Sequence, residues 1–458
     1  MYQIDFSHPS SVYFVGIGGV SMSALAELLA DAGFQVSGSD RSRSPLTDVL
    51  ESKGIKVFYG QRAENITDSI DCVVFTSAIR PDNPEYAAAH AKNLPCLTRG
   101  QLMGQIMRNY DIPIGISGSH GKTTTTSMVS EILLHAGLDP TLAVGGILKD
   151  IDGNIRIGRS GYFVTEACEY TNSFLDFFPK VGIILNIGED HLDFFKDLAD
   201  IRHSFRRFAE LLPEDGCLII NGQIENLAEI TEGLACRVVT FGSDASSDYY
   251  PDQIRYGQWG NVSFRLHGCG RERQFDLQVP GKHNVYNAMA AVALADLLGV
   301  DPKVTGEALH AYRGTDRRFE YKGSIGGVTV IDDYAHHPEE VTVTLEAAAH
   351  YPHRKLWCVF QPHTYSRTKA FLKDFARSLT LADAVVLTDI YAAREQNDPE
   401  INSGLLQQEI QALGKECHYF PTFDEVENFL LENCIKGDML ITMGAGDVVK
   451  IGESLLGN

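Results

Sequence analysis

Paired cysteines are missing from this sequence. Its nine cysteines are an odd number, scattered singly between Cys72 and Cys434 with no CxxC spacing, which argues against a disulfide framework or a zinc site. They read as small core residues, and Cys168 is the one whose neighbours matter. No uncharged apolar run approaches the ~18–20 residues of a membrane span. The opening MYQIDFSHPSS lacks the charged-then-apolar layout of a signal peptide, so a cytoplasmic chain without membrane insertion is expected. Cations are scarce: 39 Lys+Arg against 60 Asp+Glu give a formal charge of −21, a field that repels polyanions and argues against nucleic acid as a partner. Any phosphate held here is therefore held by local backbone and a few placed cations. A charged low-complexity tail and a fixed-period repeat are also absent, which excludes a solenoid.

What is present is an ordinary globular composition, 44% hydrophobic and 22% charged, over 458 residues, enough for about three domains. Short β-branched runs (VYFVGIG, CVVFTS, PIGISG, YFVTE, VGIILN, LWCVF, AVVLTDI, MLITMGAG) alternate with amphipathic stretches, the pattern of α/β folds with parallel sheets wrapped by helices. After a strand at Val12–Val15, a helix from Ser21 places Met22, Leu25, Ala26 and Leu29 on one face, and Gly33 suits its C-terminal cap. The pattern restarts after Tyr110 with PIGIS. It restarts again after Arg317-Arg318-Phe319, with the strand Val328–Ile331 opening a C-terminal unit. Between them Asp248–Val279 alternates without a helix period, as an antiparallel insertion would.

Gly118-Ser119-His120-Gly121-Lys122-Thr123-Thr124 follows an apolar strand and precedes a helix striped by Met128, Val129, Ile132 and Leu133. Glycines there let backbone N–H groups approach phosphate oxygens, Lys122 supplies charge to the β/γ phosphates, and Thr123 suits Mg²⁺. The spacing is GxxGKT, shorter than the usual phosphate loop, and a Gly-rich turn with a solvated lysine is the plainer alternative. Glu166 ends the strand YFVTE, and Asp190-His191 follow VGIILN; ligands gather at such strand ends. Thr123 and Glu166 would thus hold one Mg²⁺, with His191 near a second. Alone, Glu166 is equally a surface carboxylate, and His191 a helix-start residue.

A second Gly-rich turn, Gly16-Ile17-Gly18-Gly19-Val20-Ser21, also joins a strand to a helix, and Asp40 closes the next strand. It imitates a dinucleotide fingerprint with Ser21 at the third glycine position. Small residues beside a helix N-terminus suit a diphosphate, and a structural tight turn is the alternative.

Two such turns, only Gly118–Thr124 carrying Lys-Thr, resemble the Mur ligases, ATP-dependent amide-forming enzymes of bacterial cell-wall (peptidoglycan) precursor synthesis. The resemblance runs over nearly the whole chain on GIGGVSMSALAELL, SGSHGKTTTT, TEACEYTNSF, NIGEDHLDFF, PGKHNVYNAMAA, RRFE, DDYAHHPEE, FQPHTYSRT and TMGAGD. It implies three α/β domains: a Rossmann-like UDP-sugar domain (1–110), a central ATP-binding parallel sheet of P-loop ATPase type (111–315), and a Rossmann-like C-terminal domain (316–458). It further implies UDP-N-acetylmuramate and L-alanine as substrates, ATP as co-substrate with Mg²⁺, and a monomer or homodimer.

By the same resemblance, Gly118 to Thr124 would take ATP phosphates, with Lys122 and Thr123 central. His283, Asn284 and Asn287 would lie beside the adenine, and Arg318 and Asp333 would reach the nucleotide from the interdomain side. Gly16, Gly18, Gly19, Ser21 and Asp40 would serve the UDP site. His336, His337, His363 and Arg367 would face the muramoyl carboxylate and the amino acid. Some relatives use a carbamylated lysine for the second Mg²⁺, and the corresponding slot here is Phe205. Ala-Cys-Glu-Tyr after Glu166 departs from a commoner acidic stretch, so Cys168 would line the site and Glu169 would take on an acidic role.

The implied chemistry is carboxylate attack on the γ-phosphate, then amine attack on the acyl phosphate. Lys122, Mg²⁺ and Arg318 or Arg367 supply the positive charge, and His336 or His363 is the candidate base for the alanine ammonium. Rival readings are a recycling ligase that joins a tripeptide to the same UDP-sugar, an NAD-dependent dehydrogenase built on the Gly16–Ser21 turn with Asp40, and a nucleotide-binding regulatory module.

Overall fold

The protein is described here from a computed structural model covering residues 2–457 other than 77, 78, 149, 150, 152, 193 and 394. The first sheet comprises β1 (Ser11–Val15), β2 (Gln35–Asp40), β3 (Lys56–Tyr59), β4 (Cys72–Phe75) and β5 (Cys96–Thr98). It is parallel throughout in the order β3-β2-β1-β4-β5. Val12 to Val15 and all of β4 are buried, which is why they read as unbroken apolar runs. The helix after β1 spans Val20–Asp31, buries Met22, Leu25, Ala26 and Leu29, and is followed by Gly33 at φ +90°.

The central sheet comprises β6 (Ile112–Ser117), β7 (Thr141–Leu148), β8 (Gly153–Arg156), β9 (Tyr162–Glu166), β10 (Val181–Ile184), β11 (Cys217–Asn221) and β12 (Arg237–Phe241), in the order β12-β11-β10-β6-β9-β7-β8. Only the β7–β8 pair is antiparallel among its pairings. Strand β6 lies between β9 and β10, so Glu166 and the segment after β10 flank the turn that follows it. The alternating stretch is an antiparallel sheet of β13 (Tyr250–Tyr256), β14 (Asn261–Gly268) and β15 (Arg271–Pro280). Along β14, Val262, Phe264 and Leu266 are buried and their neighbours half-buried, the period-2 signature of a one-sided sheet.

The last sheet runs β16 (Glu320–Ile325), β17 (Val328–Asp333), β21 (Met439–Met443), β18 (Leu356–Phe360), β19 (Ala384–Leu387), β20 (Glu416–Tyr419). Here the structure corrects the sequence: the strand at Val328 does not open this unit. The antiparallel edge strand β16 precedes it. Its residues EYKGSI carry no apolar run, and Tyr321 and Ile325 are exposed, so its hydrophobic signal is weak.

Residues on both sides of Tyr110 share one apolar cluster. Leu102, Met103, Ile106 and Met107 join Phe163, Phe174, Phe177 and Phe205 in it. Phe205 is fully buried with its ring edge-on to Phe174 at 5.5 Å. At Gly104 a Cβ would lie 1.9 Å from the Asp176 carbonyl oxygen, so the helix Arg99–Met107 meets the central unit through bare backbone.

No apolar cluster of the described residues joins the C-terminal unit to the others. Polar contacts do so instead. Arg367 donates to Asp190 at 2.8 Å, and His120 lies 3.2 Å from Glu339 and 3.3 Å from Glu340, in the first turn of the helix Pro338–Ala349. Burial opposes a charge on His120, but the two carboxylates overcome it and its pKa is pushed up to about 9. Among the described residues no helix is long and apolar enough to cross a membrane.

Two outcomes are expected. Gly104→Ala should destabilise the protein by about 1–3 kcal/mol through overpacking against Asp176, read as a lowered thermal midpoint. The His120 contact stabilises most fully below its ordinary pKa of 6.5 and is lost as pH rises through about 9. The nucleotide-free protein should therefore lose more thermal stability between pH 7 and pH 10 than His120→Gln does; parallel curves would refute the interdomain ion pair.

Candidate active site

The turn after β6 is locked from its neighbours. Asn186, just beyond β10, accepts from His120 N at 2.8 Å and donates to His120 O at 2.9 Å, while Ser119 Oγ accepts from Gly188 N at 2.9 Å. Gly118 and Gly121 have φ of +143° and +85°, which L side chains rarely adopt. A Cβ at Gly121 would lie 2.6 Å from Asn287 Oδ1, so that glycine also makes room for the helix His283–Leu297. The helix Lys122–His135 starts at this turn with no side-chain cap, leaving its first N–H groups for a ligand.

Lys122 is half-buried and folds back on the turn. Its ammonium donates to the carbonyls of Gly118 and Ser119 and pairs with Glu169 at 3.0 Å. Desolvation opposes its charge, yet Glu169 holds its pKa above the usual lysine value. Glu169, 2% exposed at its side chain, also lies 3.9 Å from His191 Nε2, so it stands between the lysine and the histidine. Burial pushes the Cys168 thiol up. Sequence reasoning gave Glu169 an acidic role but no partner; its pairing with Lys122 comes from the approach of the segment after β9 to the turn after β6.

Glu166 accepts from Gly145 N at 2.7 Å, and a Cβ at Gly145 would lie 2.6 Å from Glu166 Oε2. The glycine thus leaves space for a carboxylate at the strand end. A carboxylate and the Thr123 hydroxyl beside a phosphate loop are hard oxygen donors, so these residues fit Mg²⁺. His191 stands at φ +53°, 3.7 Å from Asp190 Oδ2 and 4.5 Å between ring centres from Tyr170. Phe205, which the resemblance pairs with a carbamylated lysine, is a fully buried ring and offers no amine.

One cavity adjoins this turn, and a second lies at the segment after β10. One, of about 370 Å³, is lined by His120, Gly121 and Thr124 together with His283, Asn284, Asn287, Arg318 and Asp333. The structure thus gathers the five residues assigned to the nucleotide. Burial, then Arg318, lowers the His283 pKa to about 4, so its ring is neutral. Asp333 has backbone partners for both oxygens, Phe319 N at 2.7 Å and Ala335 N at 2.8 Å. It holds a turn in which Arg317 and Phe319 have φ of +60° and +49°. Asn221 and Gln223, at and just after the end of β11, and Tyr286, on the helix His283–Leu297, also line this cavity and were missed, since single residues of these types carry no spacing signal.

The other cavity, of about 610 Å³, is lined by His191, His336, His363, Arg367 and Asp190, among others. His337 is not there, contrary to the sequence expectation. It caps the helix Pro338–Ala349, accepts from Glu339 N at 3.4 Å, and lies 5.0 Å from the His120 ring. Arg367 is not a free cation either: Asp190 pairs with it, and although burial opposes the charge, Arg367 holds that carboxyl well below the usual range. Burial lowers both His336 and His363 to about 4, leaving neutral rings. His336 Nδ1 lies 3.0 Å from Tyr334 O, so it donates there and leaves Nε2 with a lone pair. Arg367 Nη1 points at His363 Nδ1 from 3.5 Å, occupying that lone pair.

In the first sheet, Gly16 N and Ile17 N both donate to Ser39 O, at 2.8 and 2.9 Å. Asp40 accepts from Gly18 N at 2.8 Å and Arg41 N at 2.7 Å, so its carboxylate braces the turn. Gly19 begins the helix Val20–Asp31 without a side-chain cap, and Ser21 is exposed in its first turn.

Comparison with known proteins agrees with this geometry. The chain is 57% identical over 458 residues to the UDP-N-acetylmuramate–L-alanine ligase of Agathobacter rectalis and 56% identical to that of Lachnospira eligens, covering 100% of each. The crystal structure of the UDP-N-acetylmuramate–alanine ligase of Thermotoga maritima superposes with a TM-score of 0.81 at 30% identity, over 98% of this chain and 99% of that one. A murein peptide ligase from Psychrobacter arcticus superposes at 0.69 and 25% identity, over 98% of both. The family models described as Mur ligase family, catalytic domain, Mur ligase middle domain, and Mur ligase, glutamate ligase domain match residues 11–111, 116–295 and 317–446 in that order, and the chain belongs to the Mur ligase family.

Proposed function

We propose that this chain joins L-alanine to UDP-N-acetylmuramate with ATP as the phosphoryl donor. The observation that carries the reading is the placement of the turn at Gly118–Thr124 beside one cavity with His283, Asn287 and Arg318, with a second cavity holding neutral histidines and a half-buried arginine. The first cavity suits adenosine, and the loop N–H groups suit its phosphates. The residues 1–110 would take the UDP part at Gly16, Gly18, Gly19 and Ser21, with Asp40 bracing that turn. The residues 111–315 would take ATP, and 316–458 the amine. The reaction belongs in the cytoplasm, where its nucleotides are.

In this reading the muramoyl carboxylate attacks the γ-phosphorus, ADP leaves, and the acyl phosphate is attacked by the alanine amine, releasing phosphate with the amide. Two anions must meet, so Lys122 turns from Glu169 toward the β/γ phosphates, and Arg318 adds charge from the C-terminal side. Mg²⁺ held by Thr123 and Glu166 would neutralise phosphate charge, with His191 beside it. Glu169 and Asp190 keep Lys122 and Arg367 in fixed places until substrate arrives. The alanine ammonium loses a proton before attack, and His336 Nε2 is the group with a lone pair for it.

Phosphate release dependent on both UDP-N-acetylmuramate and L-alanine tests the activity; release with a murein tripeptide and not with L-alanine would overturn it in favour of the recycling ligase. Lys122→Ala should lower kcat by roughly 10²–10³-fold, and near-normal turnover would remove it from the site. Glu166→Gln should shift the Mg²⁺ titration of activity to higher concentration while leaving the fold intact by circular dichroism. An unchanged titration would rule out Glu166 as a ligand.

A further inference from the structure

The helix Pro338–Ala349 forms one wall of the 370 Å³ cavity, with Glu339, Glu340, Val343 and Thr344 lining it. At 12 residues it is ~18 Å long, and the central unit grips it at both ends. His120 meets Glu339 and Glu340 at its first turn. At its far end, the hairpin between β13 and β14 reaches across from the central unit. Tyr256 stacks on His350, the C-terminal cap, with ring centres 4.0 Å apart and planes 8° from parallel. Trp259 lies 5.3 Å from Tyr351. A Cβ at Gly260 would sit 3.6 Å from Ala347 O, so the hairpin backbone itself touches the last turn.

These aromatic residues are out of place in an ordinary hairpin tip: Tyr256 is 40% and Trp259 56% exposed, on an otherwise polar loop. Neither lines either cavity. Their partners lead to the nucleotide side, however. Tyr351 lies 6.4 Å from Phe319, which lines the cavity beside Arg318 in the strained turn held by Asp333. With no apolar cluster of the described residues joining the two units, this stack is an apolar contact across their junction.

We propose that Tyr256 and Trp259 are positioning residues for the reaction, a brace that sets the helix Pro338–Ala349 and the Arg318 turn against the nucleotide cavity. The brace rests on the reading of that cavity as the ATP site. It acts on nucleotide binding and phosphoryl transfer and leaves the UDP-sugar turn in the first sheet untouched.

The test measures binding of a non-hydrolysable ATP analogue with Mg²⁺ by calorimetry, alongside steady-state kinetics, in Tyr256→Ala, Trp259→Ala, Tyr256→Phe and His350→Ala. Tyr256→Ala and Trp259→Ala should weaken nucleotide binding and raise the KM for ATP by roughly three- to tenfold, the worth of an aromatic pair. The KM for UDP-N-acetylmuramate and the thermal midpoint should stay unchanged. Tyr256→Phe should restore binding, because stacking needs the ring and not the hydroxyl. The double variant Tyr256→Ala/His350→Ala should be no worse than either single one. Unchanged nucleotide affinity, additive losses in the double variant, or equal weakening of every substrate with a lowered thermal midpoint would each overturn the brace. If the unaltered protein bound the nucleotide but released no phosphate with L-alanine, the alanine-ligase reading would fall while the affinity series still decided the brace.

Discussion

The backbone path from Gly118 to Gly121 is the constraint on which the other features depend. Its two positive-φ glycines turn the chain out of β6 and into a helix without a capping side chain. That path holds only because Asn186 and Gly188 bond it from the neighbouring strand end and Asn287 packs where a Cβ would stand. The strand order places β9 and β10 on either side of β6, so Glu166, Glu169, Asn186 and His191 reach this turn from segments far apart in the chain. The functional side chains are thus consequences of sheet topology as much as of local motif.

Charge is balanced pair by pair around it. Lys122 has Glu169, Arg367 has Asp190, and His120 has Glu339 and Glu340. In a chain of net charge −21, an anionic ligand therefore does not meet loose cations. It exchanges one anionic partner for another, so each cation contributes the difference between two pairings. Two of the three pairs also cross between the central and C-terminal units, which ties electrostatics at the loop to the placement of a whole domain.

Much of this was legible in the sequence where chemistry and spacing coincide. The glycine-lysine-threonine turn between a strand and a helix and the antiparallel alternation across Asp248–Val279 each have a local cause, and the structure has them at those residues. What escaped has non-local causes. His336 and His337 are adjacent, yet one bonds Tyr334 O at a cavity wall and the other caps a helix toward His120. Nothing in the dipeptide distinguishes them. Strand β16 forms because β17 offers it an edge, and Tyr256 and Trp259 acquire meaning only when another unit's His350 and Tyr351 arrive opposite them.

Phe205 carries a different kind of consequence. A lysine carbamate is an adduct of an amine with dissolved carbon dioxide, so an enzyme that needs one has an active fraction set by the local concentration of that gas. The position that the resemblance sets opposite that lysine is a phenyl ring packed against Phe174 in the shared core. At that position the protein has no nucleophile for carbon dioxide to find.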